Sequence, residues 1–413
     1  MAHKAEGGSV SENCIVYLSP IFPSISETFV VDELRMLGSV IPTKLISIRK
    51  GCSATAVSED VDWYGAVYDR NLLILFMSGI LVLMKSDRRR TACMALIQDL
   101  KFVSGAIEKA KIVFQFFAGA YLSEKLKSVN CVHLHIHFAH VPATIGMYAC
   151  ELLGIPFTVM GHANDIFERP ILLFQKAMRS KQFFTISDYN KKHLIGLGLP
   201  EEKISVVRCV PSLKFSPERC QPRYAQQKIK VVGSLGRLVE KKGMSVLIDA
   251  LHGLTSQGYN VRLEVAGDGP LMQRLSEQVE SLGLQAEVAF LGAMPHADVA
   301  EWMRNLDIFV LACVKDSKGD VDGIPVSLME AMSQGVPVVS TCISGIPELV
   351  VHEHTGLLVA PHDVDALASA LTQLLEEPHL GIILARNARE WLSDEFGRKA
   401  NLRRLVCGMG LSV

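Results

Sequence analysis

Residues 315–348, KDSKGDVDGIPVSLMEAMSQGVPVVSTCISGIPE, combine an acidic, glycine-rich loop, a helix and a short buried strand. Pro325 suits the first turn of a helix, because a helix leaves its first backbone N–H groups unpaired. Gly335 stands where a glycine can end that helix. The apolar run 336–340 is typical of a strand that is buried in a parallel sheet. The stretch therefore predicts an α/β fold in which an acidic loop opens a helix.

Asp322 and Glu330 are the carboxylates of this stretch with a spacing that points to a ligand. Asp322 stands just before the predicted helix and Glu330 two turns inside it. A rise of about 1.5 Å per residue separates them by about 12 Å, close to the reach of a nucleotide sugar from ribose to hexose. The backbone of Gly323, Ile324 and Pro325 lies between them, near a helix N-terminus that attracts negative charge.

The stretch resembles the acidic-x7-Glu signature of the family-4 retaining glycosyltransferases. Their usual form is Glu-Gly-(x)6-Glu followed by Ala-Met-x-x-Gly-x-Pro-Val-Val. Residues 330–339, EAMSQGVPVV, match it closely, whereas Asp322 replaces the first Glu and is one methylene shorter. The resemblance implies that Glu330 binds the hydroxyl groups of the donor ribose and that Asp322 lies by the sugar ring, together with the 323–325 backbone.

A second motif, GRLVEKKG at residues 236–243, follows a predicted strand. Its turn can bring Arg237 and Lys242 together, and two fixed cations bind a diphosphate and neutralise the charge that develops on it as it leaves. The family has Gly-Arg…Lys-Gly at this place, which implies the same role here. Lys241 is the second choice for the lysine.

The histidines suggest a reaction centre by resemblance. HIHFA (135–139) and GHANDIF (161–167) resemble segments of exopolysaccharide-type members of the family, in which the histidine of the second segment lines the reaction centre. This implies a catalytic role for His162 and an acceptor contact for His137. The loop that contains Met294 resembles the family loop that packs on the nucleobase of the donor.

Metal binding is the alternative for two of these groups. His133, His135 and His137 share one face of a strand, but one strand alone gives poor tetrahedral geometry, and no Cys or carboxylate stands at a matching spacing. The Asp-Val-Asp sequence at residues 320–322 is typical of metal–nucleotide sites in a different glycosyltransferase fold. We expect no metal at either place, because Arg237 and Lys242 make one unnecessary.

Short apolar strands alternate with helical stretches along the chain, which favours parallel sheets with helices on both faces. The pattern breaks at residues 213–228, which we interpret as a linker. We expect two doubly wound Rossmann-like domains that face a cleft, an arrangement known as the GT-B type. Residues 1–212 are expected to hold the acceptor and residues 229–385 the nucleotide sugar. Residues 386–413 are expected to form a helical segment that packs back on the first domain.

The composition excludes several classes of protein. Of 413 residues, 49% are hydrophobic and 21% charged, and the net charge is −1, so a large core is expected and nothing favours nucleic-acid binding. Ten cysteines without CxxC pairs indicate a reducing compartment. No signal segment opens the chain, and the longest apolar run, 72–84, is too short to span a bilayer. We therefore expect a cytoplasmic protein.

The run 72–84 leaves two interpretations open. Lys85, Arg88, Arg89 and Arg90 follow it, so the segment can lie at the inner face of the cell membrane with its basic flank on anionic lipid. Alternatively it is an ordinary buried helix of the first domain, because an uninterrupted apolar run shows no polar face.

The resemblance implies a retaining hexosyltransferase that moves a sugar from a nucleotide-diphosphate sugar to a glycan or lipid-linked saccharide during exopolysaccharide assembly, without a metal or other cofactor. Two alternatives stay open. One is a nucleotide-sugar epimerase or a phosphorylase on the same fold, and a phosphorylase would need a lysine that binds pyridoxal phosphate. The other is a non-catalytic sugar-nucleotide-binding partner, which the replacement at Asp322 supports.

Overall fold

The computed structural model describes residues 13–23, 28–51, 61–69, 71–167, 170–208 and 229–411. The chain divides into two compact units. Unit 1 comprises Met1–Thr185, His193–Cys209 and Leu402–Val413, and unit 2 comprises Ile186–Lys192 and Val210–Asn401. The predicted linker at 213–228 lies outside the described residues. Of the predicted C-terminal helical segment, residues 402–413 belong to unit 1 and residues 386–401 to unit 2.

Unit 1 is built on a parallel sheet. In chain order its described strands are β1 (Cys14–Phe22), β2 (Thr43–Lys50), β3 (Trp63–Ala66), β4 (Cys131–His137), β5 (Phe157–Gly161), β6 (Phe183–Thr185) and β7 (Ile204–Val206). In space they run β3-β2-β1-β4-β5-β6-β7. The helices are α1 (Thr28–Gly38), α2 (Leu72–Lys85), α3 (Arg89–Asp99), α4 (Ala106–Ser128), α5 (Val141–Leu153), α6 (Ala163–Phe167), α7 (Leu173–Arg179) and α8 (Asp188–Gly196), the last of which begins in unit 2.

Unit 2 repeats this plan. Its described strands are β8 (Lys230–Leu235), β9 (Val261–Ala266), β10 (Val288–Gly292), β11 (Ile308–Leu311), β12 (Val338–Thr341) and β13 (Leu357–Val359). They run β10-β9-β8-β11-β12-β13 in space. The helices are α9 (Met244–Ser256), α10 (Met272–Ser281), α11 (His296–Arg304), α12 (Val326–Ser333), α13 (Ile346–Leu349), α14 (Val364–Glu376), α15 (Pro378–Glu395) and α16 (Arg398–Met409), the last of which ends in unit 1.

The strand orders confirm the prediction of two doubly wound domains. In each sheet the first strand of the unit lies in the middle and the chain winds outward in both directions, so the order reverses between β1 and β4 and between β8 and β11. Ligands of such sheets bind beyond the carboxyl ends of the strands at this reversal. Two strands at these reversals, β1 and β11, are buried on both faces, as the runs 15–18 and 308–311 show.

The stretch 315–348 has the predicted order of elements. The loop after β11 leads into α12, and β12 follows. Pro325 is the N-cap of α12, with φ −66° and ψ 126°, and not part of its first turn. Gly335 has φ +70°, the left-handed conformation that ends a helix at little cost when the residue is glycine.

Two segments differ from the sequence reading. The polar region 51–70 has no apolar alternation, so the sequence predicts an irregular segment, but it contains the edge strand β3, whose single partner among the described strands is β2. The run 72–84 forms a helix, but not an ordinary buried one, since only Leu75 and Gly79 of α2 are buried. Large side chains stand out from it, and Leu73 and Met84 are 68% and 64% exposed. None of the helices in the described residues has the length and hydropathy needed to cross a bilayer.

Candidate active site

Two lysines meet the acidic loop at the carboxyl ends of β8 and β11. They belong to a 3-10 turn, Glu240–Lys242, that follows β8. Lys242 Nζ lies 2.5 Å from Asp322 Oδ2, and Lys241 Nζ lies 3.4 Å from Asp322 Oδ1 and 2.6 Å from Asp320 Oδ2. These contacts bring together the motif 236–243 and the acidic loop, which the sequence analysis singled out separately.

Glycines allow this close approach. Gly243 has φ +65°, and a Cβ there would collide with the carbonyl oxygen of Ala312 next to β11. A Cβ on Gly236 would lie 3.2 Å from Lys242 Cε. The turn can therefore lie against Ala312 because residue 243 carries no side chain, and the absence of one at residue 236 leaves room for the Lys242 side chain to pass.

The ammonium groups set the charge of Asp322. Burial alone would raise the pKa of this carboxyl, but Lys242 and then Lys241 outweigh burial and lower the pKa below its usual value. Asp322 is therefore ionised at neutral pH. Its Oδ2 also lies 3.7 Å from Cys313 Sγ, and the pKa of this thiol is raised mainly by burial.

Arg237, the other predicted phosphate ligand, is exposed. Within the described part of the chain its guanidinium makes no hydrogen bond or ion pair, unlike the neighbouring lysines. The structure thus pairs Lys242 with Asp322 and does not join it to Arg237. The binding of a diphosphate by Arg237 stays a prediction.

Glu330 projects from α12 and faces a histidine that the sequence analysis gave no role. Its Oε1 lies 3.2 Å from Nε2 of His296, the first residue of α11. Burial raises the pKa of the Glu330 carboxyl, and His296 partly opposes this shift. Met294, two residues before His296, is half-buried against the core of unit 2.

The backbone between the two acidic residues is tightly packed. A Cβ on Gly323 would lie 2.7 Å from Ile186 Cδ1, and the Ile324 side chain is buried. Pro325 then caps α12 from outside the helix. The segment 323–325 is therefore held at the N-terminus of α12, where a ligand with negative charge would be favoured.

His162 follows β5 in unit 1 and stacks on His137. The ring planes are 23° apart, and His137 Nδ1 lies 3.4 Å from His162 Nε2. The backbone N–H groups of His162 and Ala139 donate to Asp165 Oδ2 at 3.0 and 2.5 Å. Burial, with a smaller effect of His137, lowers the pKa of His162 to about 3, so the imidazole is neutral at physiological pH.

A carboxylate from α1 completes this group. Glu33 Oε1 lies 3.2 Å from His137 Nε2 and 3.1 Å from His135 Nε2. Sequence spacing could not identify Glu33 as the carboxylate for these histidines because it is 104 residues from His137. The available signal was its position among the apolar residues of α1 that face the core, Val30, Leu34 and Leu37. His137 is fully buried, and its acceptor contact stays a prediction.

Comparisons with known proteins agree with this architecture. The family model described as Glycosyl transferases group 1 matches residues 221–391. The chain is 37% identical over 282 residues to the putative colanic acid biosynthesis glycosyltransferase WcaL of Escherichia coli, which covers 65% of this chain and 68% of the relative. It is 29% identical over 418 residues to the amylovoran biosynthesis glycosyltransferase AmsK of Erwinia amylovora, covering 95% and 98%.

Solved structures share the fold. HepE of Anabaena, in complex with UDP and glucose, superposes with a TM-score of 0.71 at 18% identity and covers 97% of this chain and 100% of its own. The lipopolysaccharide outer core galactosyltransferase WaaB, in its apo form, gives a TM-score of 0.65 at 17% identity, with coverages of 95% and 99%. The fold is therefore that of the GT-B glycosyltransferases, as the sequence predicted.

Proposed function

The chain belongs to the group 1 glycosyltransferases, among relatives named for exopolysaccharide biosynthesis, and from this we propose that it transfers a sugar from a nucleoside-diphosphate donor to a saccharide or lipid-linked acceptor, with retention at the anomeric carbon. One observation carries the proposal. Lys242 and Asp322 meet at the carboxyl ends of β8 and β11, the position at which doubly wound sheets bind nucleotides. That the fold relative HepE was solved with UDP supports a nucleoside diphosphate.

The lysine at this position would serve the leaving group. Lys242, joined by Arg237, would bind the diphosphate and neutralise the charge that develops as the sugar departs. A diphosphate competes with Asp322 for the same ammonium group, because Lys242 Nζ lies 2.5 Å from Asp322 Oδ2. Donor binding would thus turn the Asp322 carboxylate towards the sugar ring, while Lys241 remains in its ion pair with Asp320.

The rest of the donor would lie along α12. Glu330 would accept hydrogen bonds from the ribose hydroxyls, with His296 holding its carboxylate in place at 3.2 Å. The backbone of residues 323–325 would face the sugar at the N-terminus of the helix. Met294 would pack on the nucleobase.

His162 would line the reacting face. As a neutral imidazole it can donate or accept a hydrogen bond without adding charge, which suits a front-side attack in which the leaving phosphate assists the acceptor hydroxyl. His137 would act on the acceptor from behind His162, to which it is hydrogen-bonded.

We propose that the transfer needs no metal in unit 2. Lys241 Nζ is within ion-pair distance of both Asp320 and Asp322, so an ammonium group already neutralises the carboxylates that an Asp-x-Asp metal site would use. Product formation is expected to continue in EDTA. Complete loss that manganese restores would contradict this.

The exposed face of α2 supports a peripheral site of action at the inner face of the cell membrane. We name this face the apolar face of α2 and define it by its six apolar side chains that are more than half exposed, Leu72, Leu73, Ile74, Met77, Leu81 and Met84. Lys85 and Arg90 lie exposed beside its end. Apolar side chains with a basic margin fit an anionic lipid surface, which suits a lipid-linked acceptor.

The proposal is tested with the purified protein, a panel of nucleotide sugars and lipid-linked acceptors. Mass spectrometry of the products identifies transfer, and NMR of the new linkage shows whether the anomeric configuration is retained. Free sugar nucleotide epimers without a glycosidic product would favour the epimerase instead. Binding without any turnover across the panel would favour the non-catalytic partner.

Calorimetry with nucleoside diphosphates tests the assignment of the cations. Lys242→Ala and Arg237→Ala are each expected to weaken binding about tenfold to a hundredfold, because a hydrogen bond to a charged group contributes about 1.5–3 kcal/mol. Lys318→Ala is the matched control, since it removes an exposed cation from the acidic loop after β11. Unchanged affinity in a folded Lys242→Ala protein would overturn the assignment.

A further inference from the structure

The interior of unit 1 brings together three side chains of the kinds that ligate metals. Glu33 comes from α1, and His135 and His137 from β4. Both histidines are 0% exposed and Glu33 is 7% exposed. The ligand atoms lie within 4.8 Å of one another, and one carboxylate oxygen, Glu33 Oε1, faces both Nε2 atoms at 3.1 and 3.2 Å.

Hydrogen bonds do not account for the whole cluster. His137 Nε2 has hydrogen-bond geometry to Glu33. His135 Nε2 lies 3.1 Å from the same oxygen, but it is buried and has no partner in hydrogen-bond geometry among the residues that the structure describes. No lysine or arginine in the described ranges forms an ion pair with Glu33. Besides the two imidazoles, the Tyr17 hydroxyl is the one described group that donates a hydrogen bond to its carboxylate. A buried carboxylate is costly unless positive charge compensates it.

The outer nitrogens of both rings are held by other groups. His135 Nδ1 lies 2.7 Å from Thr158 Oγ1, and His137 Nδ1 lies 3.4 Å from His162 Nε2. Both imidazoles therefore turn Nε2 towards Glu33 while a second group fixes Nδ1. This is the usual arrangement of histidines that ligate a metal, in which the far nitrogen is oriented by an outer hydrogen bond.

We propose that Glu33, His135 and His137 bind a divalent transition-metal ion, with zinc the best match. Zinc bonds of about 2.0–2.2 Å in tetrahedral geometry separate neighbouring ligand atoms by about 3.3–3.6 Å, close to the 3.1 and 3.2 Å between Glu33 Oε1 and the two nitrogens. The ion neutralises the carboxylate and uses the lone pair of His135 Nε2. The Tyr17 hydroxyl donates to Glu33 Oε1 at 3.2 Å and so orients the carboxylate.

The site differs from what the sequence suggested and from the donor site of unit 2. A single strand offers no carboxylate, but the fold supplies one from α1, so the ion joins α1 to β4. It is a structural ion inside unit 1 and takes no part in binding the diphosphate. The inference therefore does not depend on the proposed transfer reaction.

The ion fixes the position of one proton. With zinc on Nε2, His137 carries its proton on Nδ1 and donates it to His162 Nε2. Without an ion, His137 Nε2–H donates to Glu33, and Nδ1 accepts from His162 Nε2–H. The two states thus differ in the tautomer of His137, which long-range nitrogen–proton NMR of histidine-labelled protein distinguishes.

The test uses the full-length chain without a histidine tag, loaded with zinc and dialysed. Elemental mass spectrometry is expected to find about one zinc per chain, and at least tenfold less in His135→Asn and His137→Asn. His133→Asn is the matched control, because His133 lies on the same face of β4, is equally buried and bonds Thr158 but not Glu33. It is expected to keep its zinc.

A second measurement needs no substitution and so does not depend on whether the variants fold. X-ray absorption at the zinc edge of the wild-type protein is expected to show two imidazoles, oxygen and no sulfur. The proposal is overturned by a zinc-loaded wild-type chain that retains no stoichiometric metal, by a sulfur ligand, or by NMR that finds the His137 proton on Nε2.

Discussion

The Asp322 carboxylate lies between two ammonium groups, and its contribution to the free energy of unfolding therefore depends on pH. Its pKa in the folded protein is lower than the usual value of 3.8. A carboxyl with a lowered pKa stabilises the folded state above its unfolded pKa, and this contribution is lost as the pH falls through the folded pKa.

We therefore expect Asp322→Asn to lower the free energy of unfolding by about 2 kcal/mol at pH 7, the usual contribution of a hydrogen bond to a charged group. The difference between variant and wild type should shrink below pH 3.8 and vanish once wild-type Asp322 is protonated. Urea denaturation at a series of pH values measures it. Asp394→Asn, which changes an exposed carboxylate of α15, should show neither effect. A constant difference down to low pH would contradict this account.

Glu330 is the second carboxylate whose role a substitution can isolate. Glu330→Gln keeps the shape and removes the charge, so we expect affinity for the nucleotide donor to fall about tenfold, as for one lost charge-assisted bond, with little change in melting temperature. His296→Ala removes the neighbour at 3.2 Å but leaves the carboxylate, and should weaken binding less. Calorimetry and thermal melting together measure both. A Glu330→Gln protein that melts far lower yet binds donor normally would make Glu330 structural.

Single residues mark the limit of what the sequence could predict. Asp322, Lys242 and Glu330 stand in local motifs, so their importance could be inferred without a structure. Their partners could not, because Lys241 and Asp320 are 79 residues apart and His296 and Glu330 are 34 apart. Whether two such residues meet depends on which strands are neighbours in the sheet, and the spacing of residues within a motif does not reveal the strand order.

Among the elements, the strands were the easiest to predict, because a strand buried on both faces reads as a continuous apolar run. β3 was not predicted, because an edge strand with one neighbour needs fewer apolar residues. Its sequence, WYGA, has neither an apolar run nor a clear alternation. The exposure of α2 was not predictable either. Its sequence is apolar on every side, and only the position of α4 decides which side is covered.

The turn between β8 and α9 can be tested through its glycine. Gly243→Ala places a Cβ against the Ala312 carbonyl, whereas Gly258→Ala, after α9, has the same left-handed sign of φ but nothing within 4 Å. In both variants the left-handed backbone conformation costs about 1 kcal/mol. The difference between their free energies of unfolding therefore measures the collision with the Ala312 carbonyl. We expect Gly243→Ala to be less stable than Gly258→Ala by about 1–3 kcal/mol and to bind nucleoside diphosphate more weakly, because Lys242 is displaced.

Chemical unfolding and calorimetry on the two glycine variants give the comparison. Equal stability and equal affinity would show that β11 can move away from the turn, and that the glycine is not needed to position Lys242.

On the scale of the whole molecule, exposed apolar side chains continue along the chain beyond α2. Met94 and Ile97 of α3 are 57% and 60% exposed, and Phe102 and Ile107 after it are 69% and 74% exposed. Where exposed apolar side chains form a contiguous patch, the patch marks an interaction site.

We expect the protein to float with anionic liposomes at low salt and to be released at high salt. Leu73→Ser with Leu81→Ser should abolish flotation at any salt, because the apolar contact is lost. Lys85→Gln with Arg90→Gln should weaken it at low salt by about 1 kcal/mol per charge. Arg88 and Arg89 are left unchanged, since they donate to the carbonyl oxygens of Glu151 and Met84. The control is Lys127→Gln, which removes an exposed cation of α4. Lys125 is not used for this purpose, because its ammonium group forms an ion pair with Asp69. Failure of the wild type to float would remove the membrane role of α2.

Unit 1 is interrupted in the chain, and this bears on how the protein is made. Its segment Leu402–Val413 follows the whole of the long part of unit 2, and Gly408 in α16 lies against the Phe184 ring so closely that a Cβ would not fit. On a ribosome that adds about 5–20 residues per second, roughly 190 residues separate Cys209 from Leu402, a wait of about 10–40 seconds. During synthesis the part of the Phe184 ring that faces Gly408 would stay uncovered until then, which gives chaperones a defined window in which to bind the nascent chain.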